Sequence, residues 1–206
     1  MDVFVKICGI ANRGDLEEVA AMKPNALGFI LWPGSPRNVD PDALASWLRS
    51  ISTNALKVGV FVNPDLKEAA RLARRIGLDV VQVHGDIKSQ AVDIDGVKIW
   101  QAVHADRMKP GEAGLRGRVD AYVADTYSKE MPGGTGKTGN WEAIRALVQA
   151  SSTPVLLAGG LRPVNVREAI SVVRPWGVDV SSGVEERPGK KNLEQVREFI
   201  RLCRTW

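Results

Sequence analysis

Five places in this chain could carry chemistry, and four of them close or follow an apolar run. Cys8 ends Val5-Lys6-Ile7-Cys8 and is followed by Gly9. An ionised thiol there can take a proton from carbon. Asp125 ends Ala121-Tyr122-Val123-Ala124-Asp125, ahead of a glycine-rich stretch, and is a second candidate reactive group. Gly159-Gly160 follows Val155–Ala158, and Ser181-Ser182-Gly183 follows Val178-Asp179-Val180. Glycine's steric freedom lets backbone N–H groups cradle a phosphate ester without a lysine. Arg37, in Ser35-Pro36-Arg37, carries a planar fork that matches a carboxylate. Each has a plainer reading: a free cysteine is usually a small buried hydrophobe, strand-end aspartates cap, glycines mark turns, and loop arginines are solvated.

These groups need a scaffold that gathers strand ends. Short β-branched runs alternate with amphipathic stretches. The spacing predicts strands over Val3–Cys8, Ala26–Leu31, Leu56–Val62, Asp79–His84, Val97–Val103, Ala121–Asp125, Pro154–Ala158 and Val178–Ser181. Helices are predicted over Arg13–Met22, Asp42–Ser50, Leu66–Ile76, Trp141–Gln149, Val164–Val173 and Asn192–Cys203. Asp40-Pro41 and Asn63-Pro64 both read as a polar cap before a first-turn proline. Eight strands with helical crossovers argue an α/β fold, a compact (β/α)8 TIM barrel spanning residues 1–206 as one domain. The crossovers near Lys88–Val92 and Pro110–Leu115 are short, which predicts reduced helices after strands four and five. An open doubly wound sheet is the alternative, but no Gly-x-Gly-x-x-Gly follows the first strand.

In such a barrel chemistry sits where strands end and loops begin. Strand parity puts Lys6 on the same side as Cys8, and a buried lysine requires a carboxylate, for which Asp179 is a candidate. Met131–Gly139 holds four glycines and reads as a loop able to close over a substrate. Its Gly136-Lys137-Thr138 has Met131 where a nucleotide P-loop needs glycine. His84 and His104 fall at strand ends without acidic companions at ligand spacing, so no metal site is expected. Trp32 could line the mouth after strand two.

Composition excludes several classes. A 44% hydrophobic share and 25% charged share suit a globular protein, and no apolar stretch reaches membrane-spanning length. The net charge of +4 lacks the basic run interleaved with aromatics of a single-strand binder, so nucleic acid is not an expected partner. A mild positive bias suits an anionic small substrate. The N-terminus shows no signal-peptide pattern, and with two distant cysteines a cytoplasmic location is expected.

Taken together, the motifs Val5–Ile10, Ala26–Ile30, Ser35–Arg37, Val58–Asn63, Val81–Gly85, Asp125-Thr126, Gly133–Gly136, Leu157–Leu161 and Val178–Glu185 are similar, in order and spacing, to those of the N-(5′-phosphoribosyl)anthranilate isomerase family of tryptophan biosynthesis. The resemblance runs through essentially the whole chain. It implies a β/α barrel and an Amadori rearrangement of an aminoaldose phosphate to an aminoketose phosphate, without a cofactor. By that resemblance Asp125 is the general acid and Cys8 the general base, which calls for a raised Asp125 pKa and a lowered Cys8 pKa. Arg37 would hold the anthranilate carboxylate. Gly159, Gly160, Ser181 and Ser182 would bind phosphate. Asp179 would lie near the ribose or anilino nitrogen, and His84 in the pocket. A small phosphorylated substrate and a monomeric or homodimeric state are implied. One departure is visible: many relatives carry Phe-Asp-Trp where this chain has Gly139-Asn140-Trp141, which touches the loop hinge or helix cap. Two alternatives remain open. A histidine-pathway isomerase performs the same step but resembles a barrel with two catalytic aspartates. A barrel that only binds a phosphometabolite has no need of both Cys8 and Asp125.

Overall fold

Eight parallel strands close on themselves in chain order in the computed structural model, which describes residues 3–85, 96–104, 119–125 and 141–206. The strands are β1 (Phe4–Ile7), β2 (Ala26–Ile30), β3 (Leu56–Val62), β4 (Val80–His84), β5 (Lys98–His104), β6 (Ala121–Asp125), β7 (Val155–Ala158) and β8 (Gly177–Val180). Pairing of β1 with β8, Lys6 opposite Asp179, closes the ring. The helices are α1 (Arg13–Ala21), α2 (Pro41–Ser50), α3 (Leu66–Ile76), α4 (Trp141–Ala150), α5 (Val166–Val173) and α6 (Leu193–Arg204). No helix of the described residues is long and apolar enough to cross a membrane.

Alternation along each strand divides two apolar cores. Ala26, Val58, Val80, Trp100, Ala121, Val123, Leu156 and Ala158 fill the barrel interior. Their outward neighbours, such as Leu27, Val81, Tyr122, Leu157 and Val178, pack with the helices in the larger core. Phe4 meets Trp100 edge to face at 6.0 Å and stacks on Trp176 at 4.3 Å, sealing the end opposite the candidate site. Gly177 permits this: a Cβ there would lie 2.8 Å from the Phe4 carbonyl oxygen.

Helix starts follow their caps. Asn12, Asp40, Asp65 and Asn192 each accept a backbone N–H from the first turn of their helix, with Pro41 in the first turn of α2. The reading of Asn63-Pro64 as a cap is corrected: Asp65 is the α3 cap. Asn63 instead takes φ 46° and donates its N–H to the His84 carbonyl, joining the β3 and β4 ends. Helix α5 starts later than predicted, because Asn165 accepts the Arg162 N–H and donates to the Gly160 carbonyl, bracing the loop instead of extending the helix. A 3₁₀ turn (Ser182–Val184) and a hairpin of β9 (Glu185–Arg187) and β10 (Lys190–Lys191) follow β8 and were not expected. The reduced helices expected after β4 and β5, the glycine loop at 131–139 and the Gly139-Asn140 departure lie outside the described residues.

Candidate active site

The same alternation that fills the interior turns polar at the C-terminal ends of the strands. Inward positions become Lys6 on β1 with Cys8 just past it, Gln82 and His84 on β4, Asp125 on β6, and Asp179 on β8 with Ser181 just past it. A cavity of about 250 Å³ is lined by Cys8, Gln82, His84, Asp125, Asp179, Gly159, Gly160, Ser181 and Ser182, over an apolar base including Val60 and Val123. A larger hollow of about 500 Å³ between α1 and α6 holds none of the candidate reactive groups.

Lys6 is wholly buried, and its Nζ donates to both Asp179 carboxylate oxygens at 2.9 Å. Burial works against the Lys6 charge, but the adjacent Asp179 carboxylate and the Cys8 sulfur hold its pKa above the ordinary lysine value. Cys8 is packed beside this pair. An added Cβ on Gly28 of β2 would fall 2.8 Å from Cys8 Sγ and 3.1 Å from Lys6 Cε, so glycine at that position makes room for both. The expected depression of the Cys8 pKa is corrected. Loss of hydration on burial pushes the thiol up, Lys6 and Lys191 pull it down, and Asp179 cancels part of the Lys6 effect. His84 is lowered by burial first and by the Lys6 charge second, which favours neutral imidazole; its Nε2 lies 3.2 Å from Gln82 Nε2.

The β7 and β8 loops meet at close quarters. Gly159 and Gly160 have φ of 86° and 64°, which L side chains rarely adopt. A Cβ on Gly183 would collide with the Leu161 carbonyl oxygen, so glycine there lets the two loops touch. Arg37 reaches the same rim from the β2 loop. A Cβ on Gly9 would lie 2.7 Å from Ser181 Oγ and 2.9 Å from Arg37 Cδ, placing the arginine stem beside the serine. Its guanidinium is bidentate on Glu185, with Nη2 to Oε2 at 2.6 Å and Nε to Oε1 at 2.9 Å. Burial opposes the Glu185 charge, but Arg37 and Lys191 hold its pKa below the usual carboxylate range.

Comparison with known proteins bears on which barrel this is. The family model for N-(5′-phosphoribosyl)anthranilate isomerase matches residues 5–202. The chain belongs to this family. It is 40% identical over 204 residues to the N-(5′-phosphoribosyl)anthranilate isomerase of Geobacter sulfurreducens, covering 99% of this chain and 100% of that one. Its fold is similar to the crystal structure of phosphoribosyl anthranilate isomerase from Thermotoga maritima, with a TM-score of 0.86, 33% identity, and 99% and 100% of the two chains covered. Another isomerase structure, in complex with reduced 1-(o-carboxyphenylamino)-1-deoxyribulose 5-phosphate, has a TM-score of 0.81 at 29% identity, with 99% and 100% covered.

Within this isomerase fold, Cys8, His84, Asp125, Asp179, Gly159, Gly160, Ser181 and Ser182 share the cavity, with Arg37 at its rim. Trp32 does not join them: it is 44% exposed in the β2 loop. Three neighbouring residues carried no role in the sequence reading. Gln82 is 1% exposed and lines the cavity, and its Oε1 has no partner among the described residues. Parity with His84 was the available signal. Glu185 sat in a motif with no chemistry assigned. Lys191 looks like half of a solvated basic pair, yet it is fully buried.

Proposed function

We propose that this protein isomerises N-(5-phosphoribosyl)anthranilate to 1-(2-carboxyphenylamino)-1-deoxyribulose 5-phosphate in tryptophan biosynthesis. The observation that carries the assignment is the joining of Cys8 and Asp125 in one cavity wall with the paired glycine-serine loops, in a chain that belongs to the isomerase family. The substrate phosphate sits against Gly159, Gly160, Ser181 and Ser182, where backbone N–H groups receive it. The anthranilate carboxylate meets Arg37. Asp125 protonates the ribose ring oxygen, which breaks the C1–O bond and leaves an iminium between C1 and the anilino nitrogen. Cys8 thiolate then removes the C2 proton. The electron pair released from C–H forms the C1–C2 double bond, and the iminium electrons return to nitrogen. The resulting enolamine tautomerises to the C2 ketone as C1 takes a proton and the C2 hydroxyl releases one. No electrons leave the substrate, so the sequence needs no external oxidant or reductant.

Asp179 lies beside the anilino nitrogen or ribose while anchoring Lys6, and neutral His84 shapes the sugar side of the pocket. Lys6 and Lys191 favour the Cys8 thiolate against the cost of burial. Cys8 and Cys203 are free thiols, which fits a reducing cytoplasm and a cysteine that must stay unoxidised to act. The test is a separation of binding from turnover. Cys8→Ser and Asp125→Asn should bind the reduced product analogue within a few-fold of wild type while turnover collapses by roughly 10²-fold or more. Turnover retained by either variant removes that residue from the acid–base pair.

A further inference from the structure

Arg37, which the proposed reaction sets against the substrate carboxylate, already has an ion partner. Glu185 occupies its Nε and Nη2, and among the described residues Nη1 makes no hydrogen bond. One edge of the fork is therefore pinned and the Nη1–Nη2 edge is left for a second carboxylate. The Glu185 side chain is only 3% exposed, so it is an interior anchor and not a competing surface acid.

A buried glutamate beside an arginine would cancel the positive charge that an anionic ligand needs. Lys191 removes that difficulty. Its Nζ, fully buried, donates to Glu185 Oε1 at 2.9 Å and to the Ser181 carbonyl at 3.2 Å. Arg37 and Lys191 contribute two positive charges against one negative charge on Glu185, so the triad keeps one net positive charge at the rim. Lys191 is in turn held from outside the barrel. Asp15 of α1, with no exposure, accepts the Lys191 backbone N–H at 2.7 Å and the Lys190 ammonium, and Asn12 Nδ2 donates to it at 2.9 Å. The β9–β10 hairpin is thus clamped to α1, and the clamp reaches Arg37 through two buried charges.

We propose that Glu185 and Lys191 are positioning residues that orient Arg37 and preserve its charge for the aromatic carboxylate of the substrate. This rests on the proposed isomerase reading and names how the site selects a carboxylated aryl amine. Glu185 fixes the direction of the fork. Lys191 supplies the compensating charge and ties the pair to the Ser181 backbone, which belongs to the phosphate loop. The two anionic ends of the substrate are therefore received by groups that share one buried lysine.

The experiment is calorimetric binding of two probes: reduced 1-(o-carboxyphenylamino)-1-deoxyribulose 5-phosphate, and its counterpart with hydrogen in place of the carboxylate. Wild type, Arg37→Ala, Glu185→Gln, Lys191→Met and the double variant Arg37→Ala/Glu185→Gln are compared, each first checked for cooperative thermal unfolding. Glu185→Gln and Lys191→Met should weaken the carboxylated probe about tenfold or more, the size of a charge-assisted hydrogen bond, and barely change the other. In the Arg37→Ala background, Glu185→Gln should cost nothing further. Equal losses on both probes, or additive losses in the double variant, would overturn the positioning role. Glu185→Gln keeps the side-chain volume and remains decisive if Lys191→Met does not fold. Wild type that binds both probes equally would instead remove the Arg37 reading on which this one rests.

Discussion

The buried pair of Lys6 and Asp179 makes a prediction that separates what the site needs for stability from what it needs for chemistry. Lys6 is fully buried, and its Nζ straddles the Asp179 carboxylate at 2.9 Å to each oxygen. Lys6→Met keeps the volume but leaves a carboxylate unpaired at a position 8% exposed. Breaking such a pair costs about 3–5 kcal/mol. For a chain of this length each kcal/mol lowers Tm by roughly 2–4 °C, so the expected fall is on the order of 6–20 °C. Adding Asp179→Asn removes the stranded charge and should restore most of the loss. Turnover should stay low in both variants, since Cys8 loses the ammonium that eases its ionisation. Urea and thermal unfolding of wild type, single and double variants at pH 7 provide the assay. A Lys6→Met protein within about 1 kcal/mol of wild type at pH 7, or a double variant no better than the single, would refute the buried-pair reasoning.

Other outcomes follow from the same geometry. Because burial raises the Cys8 thiol, its alkylation rate by iodoacetamide should climb with pH and reach no plateau below about 8.5, the ordinary thiol value; a plateau at pH 6–7 would contradict it. Gly28→Ala places a Cβ 2.8 Å from Cys8 Sγ and 3.0 Å from Cys8 Cα, so denaturation should show a loss of about 1–3 kcal/mol and kcat should fall with it. Asp15 is held below its usual range: burial opposes its charge, but Lys190, the Lys191 N–H and Asn12 overcome that. Its stabilisation is present above the unfolded carboxylate pKa and lost as pH falls through the folded one. Wild type should therefore lose stability relative to Asp15→Asn on acidification below about pH 4, and parallel acid-unfolding curves would exclude this contribution.

Most of the barrel was legible because parallel strands buried on both faces read as β-branched runs, and β3, β6 and α3 match the predicted boundaries. Parity then placed Lys6 with Cys8, and the structure gives Lys6 the partner suggested for it, Asp179. What escaped has a common physical cause. Asn63-Pro64 has the composition of a cap, but tertiary pairing to the β4 end claims the Asn63 N–H and moves the cap to Asp65. Lys190-Lys191 has the composition of a solvated pair, and only the fold brings Asp15, 175 residues away in sequence, to Lys190. The Cys8 pKa was expected from the demands of catalysis alone, whereas the folded site balances two lysines against burial and Asp179. In each case the folded surroundings decide, burial for Cys8 and a partner distant in sequence for Asn63 and Lys190, and no local pattern signals either.

The most direct test of the central claim is the fluorescence of phosphoribosylanthranilate, generated in situ and followed after adding the purified protein. Conversion to the ribulose product with rapid loss of signal, at a rate proportional to protein and absent with Cys8→Ser, is the predicted result. Undiminished fluorescence with folded wild-type protein would contradict the assignment.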